Sequence, residues 1–255
     1  MGQATTFEVA QVVPGFQLWN LPFLFESDEH VDQYLASEHS KKCLNALREV
    51  GLVAFGQTYS GGLLSIYGDR MTSFQEVRGK KFAPEAASTS WGRQLEKKFG
   101  AKLSLLDHDE YVKDPRGKNY NEIIEATADQ IFLAGSKATV FVNRTHHRVI
   151  SRVLFISKKF YDSLPGELQK IVMEEGARAA EYERSLSIGD VQRKFREIGA
   201  AGLLVNPWSV EQRRAERQRF RSLYSAFEKI DRKAVGLVDA LVRSKSSEVV
   251  SNRSQ

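Results

Sequence analysis

The densest group of residues with ligand or acid–base chemistry is His108-Asp109-Glu110, with Asp107 and Asp114 beside it. Nitrogen and oxygen donors can hold a divalent ion only if the chain folds them onto one point. Adjacent residues on a loop point apart, so the segment reads first as a solvated polar loop, with a metal site as the competing reading. His146-His147 directly precedes a strand-like run. Successive strand side chains alternate between faces, so this pair suits a strand edge better than a zinc site. Cys43 is the single cysteine and sits in a helical pattern with Leu44 and Leu47. A nucleophilic thiol needs a base and an acid to activate it, and none is placed to do so; a buried structural thiol is expected. The pair Gly61-Gly62 lacks the rest of any phosphate-binding fingerprint. The chain contains no G-x-G-x-x-G, Walker A, G-x-S-x-G or H-E-x-x-H pattern. These observations point away from an enzyme and imply neither a cofactor nor a metal.

The elements that would position these residues alternate between helical and strand periods, the pattern of an α/β protein. Ser27-Asp28-Glu29 opens a helix with Val31, Tyr34, Leu35, Leu44 and Leu47 on its buried stripe, and Gly51 closes it. Strands are expected at 52–56, 63–67, 80–83, 103–106, 139–142, 152–157 and 203–205. A helix carrying Trp91, Leu95 and Phe99 stops at Gly100, and 120–128 reads as another helix. The longest helix starts near Ser163-Leu164-Pro165. Leu168, Ile171, Val172, Ala179, Tyr182 and Leu186 recur along it at three- and four-residue steps, and it can continue to Ile198. Two more helices, 210–227 and 232–242, precede a polar tail from Ser244.

The chain is 255 residues long, enough for one large α/β unit or two modest lobes. Its 42% hydrophobic and 27% charged residues suit a globular protein, and no apolar run reaches the roughly 18 residues of a membrane-spanning helix. Net charge is +5 and the pI is near 9.2. The excess is concentrated in five arginines between Arg213 and Arg221, interleaved with Glu211 and Glu216. Mixed signs at this spacing make a solvated helix face, and no nucleic-acid motif accompanies them. The stretch after Met1, Gly-Gln-Ala-Thr-Thr, has neither a basic nor an apolar region. It reads as no secretory signal, so the protein is cytoplasmic or its true beginning lies further upstream.

Five segments carry a resemblance when taken in order: Val13-Pro14 with Leu21-Pro22-Phe23-Leu24-Phe25; Gly51 to Gly56 (GLVAFG); Phe74 to Phe82 (FQEVRGKKF); Glu122 to Gln130 (EIIEATADQ), with Asp129 retained; and Val153 to Lys170 (VLFISKKFYDSLPGELQK). Together they resemble the DctP-type solute-binding proteins of TRAP transporters, extracellular solute-binding family 7. The resemblance implies a two-lobed, periplasmic-binding-protein-like α/β fold with crossing strands and a long lobe-spanning helix. The family's opening strand–helix–strand–helix has no counterpart here, so the first lobe is expected to be incomplete. Lobe I would comprise 1–60 and 156–200, lobe II 61–155 and 203–243, and 244–255 a flexible tail.

What the resemblance implies for function is a non-enzymatic periplasmic protein that captures a small molecule and passes it to a TRAP membrane permease. It would meet the membrane only through that permease and bind no nucleic acid. In the family, an arginine after the "LKI" strand holds the ligand carboxylate; aligned by Gly79, that position is Ala83. A second family arginine falls at Leu63, and an asparagine at Leu133. A buried carboxylate without a charged partner costs several kcal/mol. A pocket floored by Leu63, Ala83 and Leu133, with Phe23, Tyr59 and Trp91 near, therefore suits an apolar or amphipathic ligand. An altered polar ligand, with Arg70, Arg78 or Arg93 swung in, and a ligand-free periplasmic interaction or scaffold protein remain the alternatives. The 108–118 loop is longer than the family's and reads as a surface insertion, or as a cap over the cleft.

Overall fold

The computed structural model describes residues 1–63, 65–84, 89–104, 122–134, 141–238 and 240. The chain divides into two compact units. Unit 1 comprises Met1–Ser60, Ser151–Arg184 and Arg219–Gln255; unit 2 comprises Gly61–Ile150 and Ser185–Gln218. This division differs from the expected one in three places. Residues 185–200 belong to unit 2, the segment from Arg219 onward belongs to unit 1, and so do residues 151–155. The second difference has a visible cause. Phe220 lies against Phe23 with ring centroids 6.1 Å apart, and the Tyr224 hydroxyl donates to the Pro22 carbonyl at 2.5 Å.

Unit 1 is built on a three-stranded sheet of order β1-β8-β2, with β1 (Gly2–Thr5) antiparallel to β8 (Val149–Ser157) and β2 spanning Leu52–Leu63. Helices α1 (Thr6–Val9), α2 (Asp28–Ala36) and α3 (Glu38–Ala46) precede β2. The expected single helix over 27–47 is thus broken. Ser37 adopts an extended conformation, and its hydroxyl caps α3 by accepting from the Ser40 amide at 3.2 Å. Gly51 ends the following turn at φ 81°.

Unit 2 carries a six-stranded mixed sheet of order β5-β4-β6-β3-β7-β9. Its strands are β3 (Ser65–Gly68), β4 (Lys81–Ala83), β5 (Lys102–Leu103), β6 (Glu122–Ala126), β7 (Phe141–Arg144) and β9 (Leu204–Pro207). Helix α4 (Thr89–Phe99) precedes β5 and α5 (Ala128–Ala134) follows β6. Residues 122–126 are a strand, not the helix that 120–128 was expected to form. β6 lies inside the sheet with neighbours on both edges, and residues 123–126 are all buried. A doubly buried strand shows no alternation, so over so few residues its apolar run is indistinguishable from a helix stripe. The helix starts only after Thr127, whose hydroxyl accepts from the Gln130 amide at 3.2 Å.

Helix α6 (Lys158–Asp162) leads into α7 (Gly166–Ala200), 35 residues long; α8 (Val210–Arg219) and α9 (Arg221–Glu228) follow, then a helix over 232–238. β2, β8 and α7 each run from one unit into the other, as the expected fold class requires. Of the predicted stripe of α7, Val172 is half-buried and packs on the core with Val53, Ile156 and Tyr161, but most of the rest does not. Leu168, Ile171, Tyr182 and Leu186 are exposed, while Gly176, Ala180, Val191, Phe195 and Ile198 are buried. Size decides this. A Cβ on Gly176 would stand 2.2 Å from the Phe55 ring, and one on Gly56 would stand 2.8 Å from the Ala180 side chain. Only small residues let the helix approach β2 this closely. Gly176→Ala is accordingly expected to destabilise the protein by about 1–3 kcal/mol through overpacking, readable as a lower urea midpoint; an unchanged midpoint would show that Phe55 moves aside freely.

Candidate functional site

The six residues expected to surround a ligand divide between the units, Phe23 and Tyr59 in unit 1 and Leu63, Ala83, Trp91 and Leu133 in unit 2. Ala83 ends β4 and is fully buried among Ile124, Ala126, Val142, Val191 and Phe195, in the core of unit 2. Leu133 is 66% exposed. It follows Ile131 by two residues on α5, about 200° further round the helix, so when Ile131 faces the core Leu133 faces solvent. The side chain of Leu63 lies outside the described residues. Phe23 and Tyr59 are buried in unit 1. Phe23 holds φ 59°, unusual for a bulky residue, and packs on Phe220. The Tyr59 hydroxyl donates to Asp28, and its amide donates to the Glu183 carboxylate at 3.0 Å. Burial and then the Asp28 charge push the Tyr59 phenol well above its ordinary value, so it stays neutral.

Trp91 sits at the centre of a polar–aromatic network in unit 2 that the sequence reading missed. Its ring stacks on His147 with centroids 5.5 Å apart, and Phe74 packs edge-on against both. The Arg148 guanidinium lies 5.6 Å from the Trp91 ring centroid. Glu125, in the middle of β6, accepts from His147 Nε2 at 2.8 Å and from Arg148 Nε and Nη2 at 3.0 and 2.5 Å. All three side chains are fully buried. His147 Nδ1 lies 2.7 Å from the Thr145 hydroxyl, so the ring bridges Thr145 and Glu125. Burial pushes the Glu125 carboxyl up, but the Arg148 charge and the His147 hydrogen bond outweigh it and hold the group at about 2. A charged group inside an apolar strand, as in Ile123-Ile124-Glu125-Ala126, was the signal available in the sequence. Glu216, expected on a solvated face, is also buried: it accepts from the Ser73 hydroxyl at 2.7 Å and the Phe74 amide at 3.3 Å.

Unit 1 contains a cavity of about 540 Å³ between α2, α3, β2 and α7. Leu35, Leu44, Phe55 and Met173 give it apolar walls, and Asp32 and Arg184, paired at 3.0 Å, stand among its polar residues. Gln57 also lines it. Its side-chain amide donates to the Ser151 hydroxyl at 2.9 Å, which donates onward to the Thr58 carbonyl at 2.6 Å. That relay fixes which end of the amide is the donor. It leaves Oε1 buried with no donor among the described residues.

The other expected sites resolve simply. Cys43 is buried and free, and burial followed by the nearby Asp231 charge raises its thiol to about 11, as for a structural thiol. The His108–Asp114 group and the 108–118 loop lie outside the described residues. Among the described residues, no three of His, Cys, Asp and Glu converge as a metal would need, and no helix is long and apolar enough to cross a membrane.

Comparison with known proteins follows this geometry. The sequence model of "bacterial extracellular solute-binding protein, family 7" (DctP) matches residues 1–102 and 136–230. A solute-binding protein of Sulfitobacter sp. strain NAS-14.1 is 22% identical over 209 residues, covering 77% of this chain and 59% of its own length. The C4-dicarboxylate-binding periplasmic protein DctP of Shewanella loihica is 23% identical over 236 residues, covering 89% of this chain and 67% of its own. The chain thus spans about three fifths to two thirds of these curated relatives. Among solved structures, a TRAP periplasmic solute-binding protein from Sulfitobacter sp. NAS-14.1 with bound β-D-galacturonate shares the fold. Its TM-score is 0.78 at 22% identity, over 95% of this chain and 80% of that one. With a family match across most of its length and the same fold, the chain belongs to the bacterial extracellular solute-binding proteins of family 7.

Proposed function

We propose that the protein is the periplasmic solute-binding component of a TRAP-type transporter, which captures a small apolar or amphipathic molecule and delivers it to a membrane permease. The family match is the observation that carries the binding role. The ligand class is supported by three positions that the resemblance aligns with polar anchors and that are Leu63, Ala83 and Leu133 here; Ala83 packs among apolar side chains. The one arginine at the centre of the unit 2 network, Arg148, is committed to Glu125. The unit 1 cavity has the same amphipathic character, and a molecule with an apolar body and one N–H or O–H group would satisfy Gln57 Oε1.

A second reading, an acidic solute, is favoured by the galacturonate in the Sulfitobacter structure and by the C4-dicarboxylate in the Shewanella protein's name. Denaturing extraction of the full-length product from the periplasm, followed by mass spectrometry, separates the two. One equivalent of an apolar or amphipathic compound is the expected result. A sugar acid or dicarboxylate establishes the second reading. An empty protein that gains no thermal stability from any metabolite overturns both and leaves a ligand-free interaction protein.

A further inference from the structure

The unit 1 cavity carries one polar group that the fold leaves unpaired. Gln57 is 4% exposed and its Nε2 donates to Ser151, so Oε1 remains a buried acceptor with no donor among the described residues. A buried oxygen in that state is costly, and native folds rarely leave one without a partner. The walls around it are also incompletely covered. Leu35, Leu44, Phe55 and Met173 line the same space and are only half-buried, whereas Leu47 and Val53 beside them in sequence are fully closed over. Met173, Ala177, Ala180 and Arg184 recur at three- and four-residue steps and lay one face of α7 along the cavity. Its volume, about 540 Å³, is many times the roughly 30 Å³ of one liquid water and lies in the range of small-molecule sites.

Charge stays at the rim. Asp32, Lys41 and Glu181 line the cavity and are all exposed. Asp32 is held by Arg184, which also donates to the Gln57 carbonyl at 2.9 Å, and Lys41 is held by Glu38. The buried end therefore offers a single neutral acceptor. A carboxylate has only acceptors to present to it, and an ammonium would be desolvated against one amide oxygen. Every lining residue belongs to unit 1.

We propose that this cavity is a binding site held by unit 1 alone, for a small neutral molecule with an apolar body and a hydroxyl or amide N–H that donates to Gln57 Oε1. The assignment rests on the reading that the chain captures an amphipathic molecule, and gives that molecule its seat and its head group.

The test titrates 1-hexanol, hexanamide, 1-methoxypentane, hexylamine and hexanoate separately into the isotope-labelled full-length protein at constant pH and ionic strength. Saturable amide shifts confined to 32–45, 54–57 and 173–184 are expected from hexanol and hexanamide, and the tighter of the two identifies the donor. 1-Methoxypentane, an isomer of hexanol that cannot donate, should bind about tenfold or more weakly, because it leaves Oε1 unpaired. Gln57→Leu should bring hexanol and the ether to equal affinity. Ala177→Phe fills the cavity from an exposed helix position away from the Gln57 relay. It should abolish the shifts and leave the unfolding midpoint unchanged. No saturable shift from hexanol or hexanamide, equal affinities for hexanol and the ether in the wild-type protein, tighter binding of hexylamine or hexanoate, or shifts that persist in Ala177→Phe overturn the proposal. The capture reading survives any of these if extraction still yields an apolar or amphipathic solute. Saturable hexanol binding in a protein that yields no solute does the reverse, removing the capture reading and leaving the site.

Discussion

Glu125→Ala is expected to lower the unfolding free energy by about 3–5 kcal/mol, the cost of removing one partner from a buried ion pair. Arg148 and His147 would then be left facing each other at full burial, with their carboxylate gone. Glu125→Gln keeps an acceptor but removes the charge, so its cost should be smaller. Glu125→Leu combined with Arg148→Met removes the charges together; it should recover most of the loss, because an apolar pair of similar volume avoids the desolvation of both ions. Urea unfolding of the four proteins reads this directly as shifts in midpoint at constant slope. A Glu125→Ala cost below about 1 kcal/mol would mean that the network is not a buried unit. The carboxyl adds a pH signature. Its folded value, about 2, lies below the ordinary carboxylate value, so its contribution is complete above that ordinary value and is lost as pH falls through the folded one.

A second acid dependence is expected at higher pH, from His146. Burial, then the Arg144 and Arg213 charges, hold its folded value down at about 3, against 6.5 for an ordinary histidine. The unfolded chain therefore takes up a proton near 6.5 that the folded chain refuses. Stability is complete above 6.5 and declines as pH falls from there toward 3. His146 has φ 50°, so the replacement must tolerate the left-handed region, and asparagine does so better than most residues. His146→Asn should flatten the stability profile between about pH 6.5 and 4 while leaving the Glu125 decline at lower pH intact. A wild-type profile already flat over that window would show that His146 ionises freely in the folded state.

The alternation of strand and helix periods, the length of α7 and the stops at Gly51 and Gly100 are local properties, and they were legible in the order of residues. So was the family, because five short segments keep their order across most of the chain. What a residue faces was not legible. The strand β6 has no alternation to read because it is buried on both sides, and the helix α7 turns its small residues inward and leaves Leu168, Ile171, Tyr182 and Leu186 outside. Those choices follow from how near the neighbouring strands run, which sequence periodicity does not contain. The same holds for the site. Glu125, on β6, meets the adjacent pair His147-Arg148 from the connection between β7 and β8 only when the sheet forms. Residue order determined the elements and the family. Tertiary packing decided which polar groups are buried together, because ionic partners are chosen by distance in space and not by spacing along the chain.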